Sequence, residues 1–108
     1  DPLYQVDACL EIAKHCKERN LNVWCYTGFL YEDLLKDDKY FELLKYIDIL
    51  VDGPFILLQR SLDLKFKGSE NQRVIDVPKS LKENKIILVS KYIDKKEYNI
   101  KKKTSVYI

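Results

Sequence analysis

Two short apolar segments of this chain end in the same way, and this repetition constrains the fold more than any other feature. The first segment, residues 22–27, is followed by Gly-Phe, and the second, residues 47–51, is followed by Asp-Gly-Pro-Phe. Both segments are too continuously apolar for a strand with one face in water, so both are predicted to be buried strands. A helical pattern lies between them, over residues 29–35 and 40–44. The sequence therefore predicts an α/β fold, with parallel strands and flanking helices.

The residues at the two predicted strand ends are candidates for a ligand site. Right-handed crossovers place the carboxyl ends of parallel strands on one edge of a sheet, where ligands bind in α/β proteins. Thr27 and Asp52 should be neighbours there. Asp52 could bind a cation or a ligand's hydroxyl or amino group, with Gly53 allowing close approach. Alternatively, Asp52 caps the helix that follows it.

The remaining segments are predicted from capping signals and periodicity. Asp1 and Pro2 suit the cap and first turn of an amphipathic helix that runs to about residues 19–20. A short helix over residues 55–60 and a strand over residues 86–90 are expected, and no structure is assigned beyond about Tyr92. We predict one α/β domain over residues 1–90 and a Lys-rich tail over residues 91–108.

A polar loop at residues 68–73 offers a second group of candidate ligand-binding side chains. Asn71, Gln72 and Arg73 carry amide and guanidinium donors that suit a carboxylate or a phosphate, and Lys65 and Lys67 lie just before them. The alternative is an ordinary solvated loop. The alternating segment 62–67 leads into this loop, and residues 74–77 follow it.

Charge is concentrated near the end of the chain. The net charge is +2, but residues 79–108 carry nine lysines against three acidic residues, which is +6. We do not expect nucleic-acid binding, because the tail has no arginine and no defined aromatic motif. We expect a solvated, partly disordered tail instead. No apolar run approaches the roughly 20 residues that span a bilayer, so no membrane segment is expected and the chain is predicted to be cytoplasmic.

Three cysteines, Cys9, Cys16 and Cys25, are predicted to be reduced, buried thiols with a structural role. Their number is odd and no CxxC pair occurs, so neither a disulfide framework nor a zinc site is indicated. Cys9 and Cys16 would share one helix face, and Cys25 lies inside the first predicted strand.

Four segments together resemble the activating protein of the anaerobic ribonucleoside-triphosphate reductase. They are Asp1-Pro2-Leu3, residues 23–29, residues 47–55 and residues 65–77. The most specific are Val-Asp-Gly-Pro-Phe at 51–55 and Gly-Ser-x-Asn-Gln-Arg-x-Ile-Asp at 68–76. The resemblance runs from Asp1 to about Val89. It implies a radical S-adenosylmethionine enzyme, and a sheet that is part of a radical-SAM partial (β/α)6 barrel.

The resemblance also implies cofactors and a partner for the parent protein. Such enzymes hold a 4Fe-4S cluster on a CxxxCxxC loop, bind S-adenosylmethionine at the cluster, and use the resulting radical to abstract hydrogen from a glycine of the partner reductase. The loop is absent from this sequence, and the spacing of the three cysteines does not replace it. We therefore expect a C-terminal fragment that holds no cluster, contributes no catalytic residue and is inactive alone. Its exposed sheet edge should favour self-association.

Site residues follow from the same resemblance. Asp1 would contact the methionine amino end of the cofactor, Thr27 and Asp52 would border it, and Asn71 and Arg73 would face its ribose or carboxylate. Gln72 completes the predicted S-adenosylmethionine site. The alternative function is a non-catalytic α/β interaction module that docks the partner reductase.

Overall fold

A computed structural model describes residues 1–60, 67–89 and 104–108. The chain begins with a 3-10 helix, Pro2–Gln5, which continues into helix α1, Val6–Glu18. The other elements follow in this order: β1 (Asn22–Tyr26), α2 (Tyr31–Leu34), α3 (Asp38–Leu44), β2 (Ile49–Asp52), a 3-10 helix (Leu57–Gln59), β3 (Arg73–Asp76), α4 (Val77–Glu83) and β4 (Ser105–Tyr107). Among the described helices, none has the length and apolar character that crossing a membrane requires.

The four described strands form one sheet in the order β3-β2-β1-β4. β1 pairs in parallel with both β2 and β4, and β2 pairs with β3 in the antiparallel direction. The α/β class is confirmed, but the expectation of parallel strands holds only in part, because the sheet is mixed. A parallel strand needs a crossover connection, usually a helix, whereas an antiparallel strand does not. In the described part of the connection from β2 to β3, the only helix is the 3-10 turn at Leu57–Gln59, and an isolated antiparallel bridge joins Arg60 to Ser69.

The first helix begins as the capping signals predict. The Asp1 side chain accepts a hydrogen bond from the Leu3 N–H at 3.0 Å, and Pro2 occupies the first turn, where its missing N–H costs nothing. α1 ends at Glu18, with Arg19 as its C-terminal cap. The helix predicted over residues 29–35 is shorter, with α2 covering only Tyr31–Leu34.

The sheet buries both faces of its central strands. β1 and β2 are buried almost throughout, which confirms the interpretation of their continuous apolar runs. Val23, Cys25 and Leu50 point to the main core, which is formed with the helices. Their strand neighbours form a second cluster on the opposite face, namely Trp24, Ile49 and Val51 with Tyr26, Val74 and Val89 packed against them. All three cysteines are buried and free, as predicted.

The end of the chain departs from the sequence prediction. We expected no structure after about Tyr92, but Ser105–Tyr107 forms β4 and pairs with the edge of β1. The reason is apolar contact: Val106 packs against the main core, and the ring centroid of Tyr107 lies 5.7 Å from that of Trp24. Three strand residues are too few to show a periodicity. The many lysines of this segment therefore led to the prediction of a solvated, partly disordered tail.

Two further predictions concern the second half of the chain. The strand expected over residues 86–90 is reduced to a bridge between Leu88 and Ile75, and residue 90 lies outside the described residues. The alternating segment 62–67, apart from Lys67, and the tail from 91 to 103 also lie outside them. The division of the chain at residue 90 stays a prediction.

Candidate functional site

The ends of β1 and β2 lie side by side, as the repeated sequence pattern predicts. The Thr27 N–H donates to the Val51 carbonyl at 3.0 Å. Beyond the strand ends, the Gly53 N–H donates to the Phe29 carbonyl at the same distance. The two turns that follow the strands are therefore hydrogen bonded to each other. They form one continuous edge of the sheet, and all six predicted site residues make contacts along it.

The Asp1 carboxylate closes the turn that follows β1. Its Oδ2 accepts from the Gly28 N–H at 2.6 Å, and the Thr27 hydroxyl lies 3.1 and 3.0 Å from Oδ1 and Oδ2. Thr27 Oγ1 itself accepts from the Phe29 N–H at 3.1 Å. Asp1 remains exposed while Thr27 is buried. One carboxylate thus caps the first helix and joins it to the edge, a double role that the sequence did not predict.

Asp52 is fully buried and is held by the chain itself. Its Oδ2 accepts from the Tyr31 N–H at 2.8 Å and from Arg73 Nη2, and its Oδ1 accepts from Arg73 Nε at 3.0 Å. Arg73 Nη2 also donates to Glu32 Oε1 at 2.6 Å. The hydrogen bond to Asp52 raises the pKa of Arg73 above its usual range, and Glu32 adds to this shift. The alternative role predicted for Asp52, capping the helix that follows it, is wrong. Asp52 accepts from the first N–H of α2, a helix that precedes it in the chain.

Asn71 and Gln72 hold the turn that follows β2. Asn71 Nδ2 donates to the Pro54 carbonyl at 2.7 Å, and Gln72 Nε2 donates to the Gly53 carbonyl at 2.9 Å. The loop that carries them therefore folds back onto the turn. Lys67 donates to the Glu70 carbonyl at 3.1 Å, and Lys65 lies outside the described residues.

Three residues of this edge were not singled out from the sequence. Tyr31 and Glu32 bind Asp52 and Arg73 from α2, and no local pattern marks them, because their partners lie 21 and 41 residues away. Ser69 is fully buried and donates to Asn71 Oδ1 at 2.5 Å. The sequence feature that could have pointed to Ser69 is its position inside the Gly-Ser-x-Asn-Gln-Arg motif. Contact of the six predicted residues with a cofactor stays a prediction.

The cysteines do not fit an iron-sulfur cluster. Cluster ligands are thiolates, but burial raises the pKa of Cys25 to about 12 and also raises the pKa of Cys9. The Cys9 thiol donates to the Pro2 carbonyl at 3.1 Å. Over residues 1–60, 67–89 and 104–108, no group of three His, Cys, Asp or Glu side chains could hold a metal ion.

Comparison with known proteins gives the class of this fold and site. The family model of a 4Fe-4S single cluster domain matches residues 1–75, and the chain belongs to that family. Its curated relatives are anaerobic ribonucleoside-triphosphate reductase-activating proteins, which confirms the resemblance recognised in the sequence.

Three of these relatives show the extent of the similarity. The protein of Vibrio cholerae serotype O1 is 37% identical over 76 residues, covering 67% of this chain and 48% of the relative. That of Haemophilus influenzae is 34% identical with the same coverage, and that of Enterobacteria phage T4 is 36% identical over 55 residues, covering 49% of this chain and 31% of its own. The chain thus spans about half the length of the first two relatives. No solved structure matches it.

Proposed function

We propose that this chain forms the S-adenosylmethionine edge of a radical S-adenosylmethionine enzyme that generates the glycyl radical of an anaerobic ribonucleoside-triphosphate reductase. Its sheet would then be part of a partial (β/α)6 barrel. Family membership and the names of the relatives support this proposal. The observation that carries it is the exposed Asp1 carboxylate, which Thr27 and Gly28 hold at the carboxyl ends of two parallel strands.

The bonding of Asp1 suits a ligand with an ammonium group. A carboxylate offers about four lone-pair sites. The N–H groups of Leu3 and Gly28 and the hydroxyl of Thr27 occupy three of them. These contacts fix the orientation of the carboxylate and leave an acceptor site on its exposed side. The amino group of an amino-acid moiety, such as that of S-adenosylmethionine, could donate to that site.

Asp52 and residues 71–73 would contribute differently from Asp1. Asp52 is fully buried and ion-paired with Arg73, so its charge is already balanced within the chain. We propose that Asp52, Asn71, Gln72 and Arg73 border the cofactor by shaping the edge beside Thr27. Asp1 would make the charged contact.

The iron-sulfur cluster would be held elsewhere in the whole protein. When bound, a 4Fe-4S cluster supplies the electron for cleavage of S-adenosylmethionine. The three buried thiols of this sequence do not fit that role. We propose that its ligands lie in a part of the protein outside these 108 residues, and that the chain alone is inactive. Free thiols are typical of a reducing compartment, which supports the cytoplasm as its location.

Calorimetric titration of the 108-residue chain with S-adenosylmethionine tests the proposal. Wild-type chain should bind, and Asp1→Asn should weaken binding about tenfold or more, because a hydrogen bond to a charged group is worth about 1.5–3 kcal/mol. Asp7→Asn is the matched control, since the Asp7 side chain is 80% exposed and lies on α1. The proposal fails if the wild-type chain does not bind, or if Asp1→Asn binds as well as Asp7→Asn.

A second candidate function is docking of the reductase without chemistry. Exposed apolar side chains next to the same edge favour it: Phe55, Leu57 and Leu58 follow the Asp52-Gly53-Pro54 turn, and Leu58 is 97% exposed. In a pull-down, a chain that captures the reductase but does not bind S-adenosylmethionine would support this function. Leu58→Ser should then abolish capture.

A further inference from the structure

Backbone pairing between β2 and β3 stops at the pair Asp52↔Arg73. Two features of the turn prevent its continuation. Gly53 has a φ of +96°, and its N–H donates to the Phe29 carbonyl in the turn after β1, away from β3. Pro54 has no N–H at all. The carbonyl groups of Gly53 and Pro54 therefore need other donors.

Side chains of the residues just before β3 supply these donors, and their order along the chain continues the antiparallel register of β2 and β3. Arg73 binds Asp52, Gln72 Nε2 donates to the Gly53 carbonyl at 2.9 Å, and Asn71 Nδ2 donates to the Pro54 carbonyl at 2.7 Å. The two amide contacts, from Asn71 and Gln72, continue the pairing of β2 and β3 past the end of its backbone hydrogen bonds. We call these two contacts the amide ladder.

The two amide side chains are also fixed at their oxygen atoms. Gln72 Oε1 accepts from the N–H groups of Gly68 and Ser69 at 2.8 and 3.2 Å. Asn71 Oδ1 accepts from the hydroxyl of the buried Ser69 at 2.5 Å. Each amide thus uses both its donor and its acceptor, and neither a carboxylate nor an aliphatic side chain could do the same.

We infer that Asn71 and Gln72 are positioning residues, which hold the turn after β2 and, through the Gly53–Phe29 hydrogen bond, the neighbouring turn after β1 in the shape that the ligand requires. This inference rests on the proposed function, because the ligand is S-adenosylmethionine. The chain of contacts is short: the amide ladder fixes Gly53, Gly53 binds Phe29, and Phe29 binds Thr27 Oγ1 next to Asp1. Asn71 and Gln72 thereby act on the Asp1 site without touching it.

Gln72→Glu tests this inference in the full chain, because it keeps the size of the side chain and removes the donor. Two quantities should be measured: exchange of the Gly53 backbone amide by NMR, and affinity for S-adenosylmethionine by calorimetry. We expect exchange at Gly53 to be about tenfold faster and binding to be weaker by a similar factor, as the loss of a hydrogen bond worth about 1.5 kcal/mol implies. Asn71→Asp should act in the same direction.

The pH profile separates a lost donor from general damage to the fold. At low pH, the carboxyl introduced by Gln72→Glu becomes protonated and can donate again. The difference in Gly53 exchange between the variant and wild type, compared at equal pH, should therefore shrink as the pH falls. The matched control is Gln59→Glu, the same change at an exposed glutamine of the 3-10 helix Leu57–Gln59, and it should match wild type throughout.

The outcomes decide the inference separately from the proposed function. If wild-type chain does not bind S-adenosylmethionine, the proposed function fails, while Gly53 exchange still shows whether the amide ladder holds the turn. The inference is overturned if Gln72→Glu and Asn71→Asp leave Gly53 exchange at the Gln59→Glu level. It is also overturned if exchange rises while affinity is unchanged.

Discussion

Arg73 and Asp52 form the last register pair of the antiparallel strands β3 and β2, and their side chains are joined by two hydrogen bonds. Asp52 is fully buried, and Arg73 reaches on to Glu32 at the start of α2. The pair therefore ties β2, β3 and α2 together at the edge that carries the candidate site.

Removing Arg73 should destabilise the fold strongly. Arg73→Met leaves Asp52 buried without its counter-charge, which costs about 3–5 kcal/mol of unfolding free energy. Urea denaturation measures this loss, and the double variant Asp52→Asn with Arg73→Met should recover a large part of it. The control is Lys45→Met, which breaks the exposed pair with Glu42 and should cost at most about 1 kcal/mol. Equal effects of Arg73→Met and Lys45→Met would contradict the importance of the buried pair.

The glycines of the two turns should differ in their tolerance of a methyl group. Gly53 has a φ of +96°, so Gly53→Ala should cost about 1–3 kcal/mol of unfolding free energy through backbone strain. At Gly28 an added Cβ would lie 3.5 Å from Asp1 Oδ2, an ordinary contact, and Gly28→Ala should change stability by about 0.5 kcal/mol or less. Thermal unfolding of both variants shows which one loses more stability. A greater loss of stability for Gly28→Ala than for Gly53→Ala would contradict the expected strain of alanine at the positive φ of residue 53.

The buried thiol of Cys25 should make stability fall at high pH. Burial raises its pKa from 9.0 to about 12, so the folded state keeps a proton that the unfolded state loses above pH 9. The contribution of the protonated thiol to the unfolding free energy is therefore complete below pH 9 and is lost as the pH rises to about 12. The unfolding free energy falls over this range by at most about 1.4 kcal/mol per pH unit. Because tyrosines and lysines titrate in the same range, the measurement is the difference in unfolding free energy between wild type and Cys25→Ala. A difference that stays constant from pH 8 to 11 would refute the shift.

Displacing β4 should expose an edge that self-associates. Val106 packs against the main core, so Val106→Asp should free β4 from β1 and leave the backbone groups of β1 available to a second copy. Size-exclusion chromatography with light scattering should show association that increases with protein concentration. Thr104→Asp adds the same charge at an exposed position two residues away and should remain like wild type. If both variants keep the wild-type mass, β4 does not protect the edge.

The chain should not assemble an iron-sulfur cluster by itself. After anaerobic incubation with iron and sulfide, neither the absorption nor the spin-resonance signal of a 4Fe-4S cluster should appear, because the three thiols are buried in the core and burial raises the pKa of Cys25 and Cys9. A signal that disappears in Cys16→Ala would show that these thiols do bind iron.

The sequence predicted those features that depend on local chemistry or on a repeated pattern. Asp1 and Pro2 identified the helix start, and the two apolar runs identified the central strands and the meeting of Thr27 with the end of β2. The direction of β3 was missed because it depends on the path of the chain after Pro54. The partners of Asp52 and Gln72 were missed because contacts across about 20 residues leave no local periodicity. β4 was missed because three strand residues in a lysine-rich segment carry too little signal.

The aromatic contact between β1 and β4 has a practical consequence. Trp24 is the only tryptophan of the chain, is 3% exposed, and lies with its ring centroid 5.7 Å from that of Tyr107. Its fluorescence therefore arises from one known position, directly beside the last strand. Departure of that strand would bring water to the indole and shift its emission to longer wavelength. The chain thus contains its own optical reporter of whether its C-terminal residues are seated on the sheet.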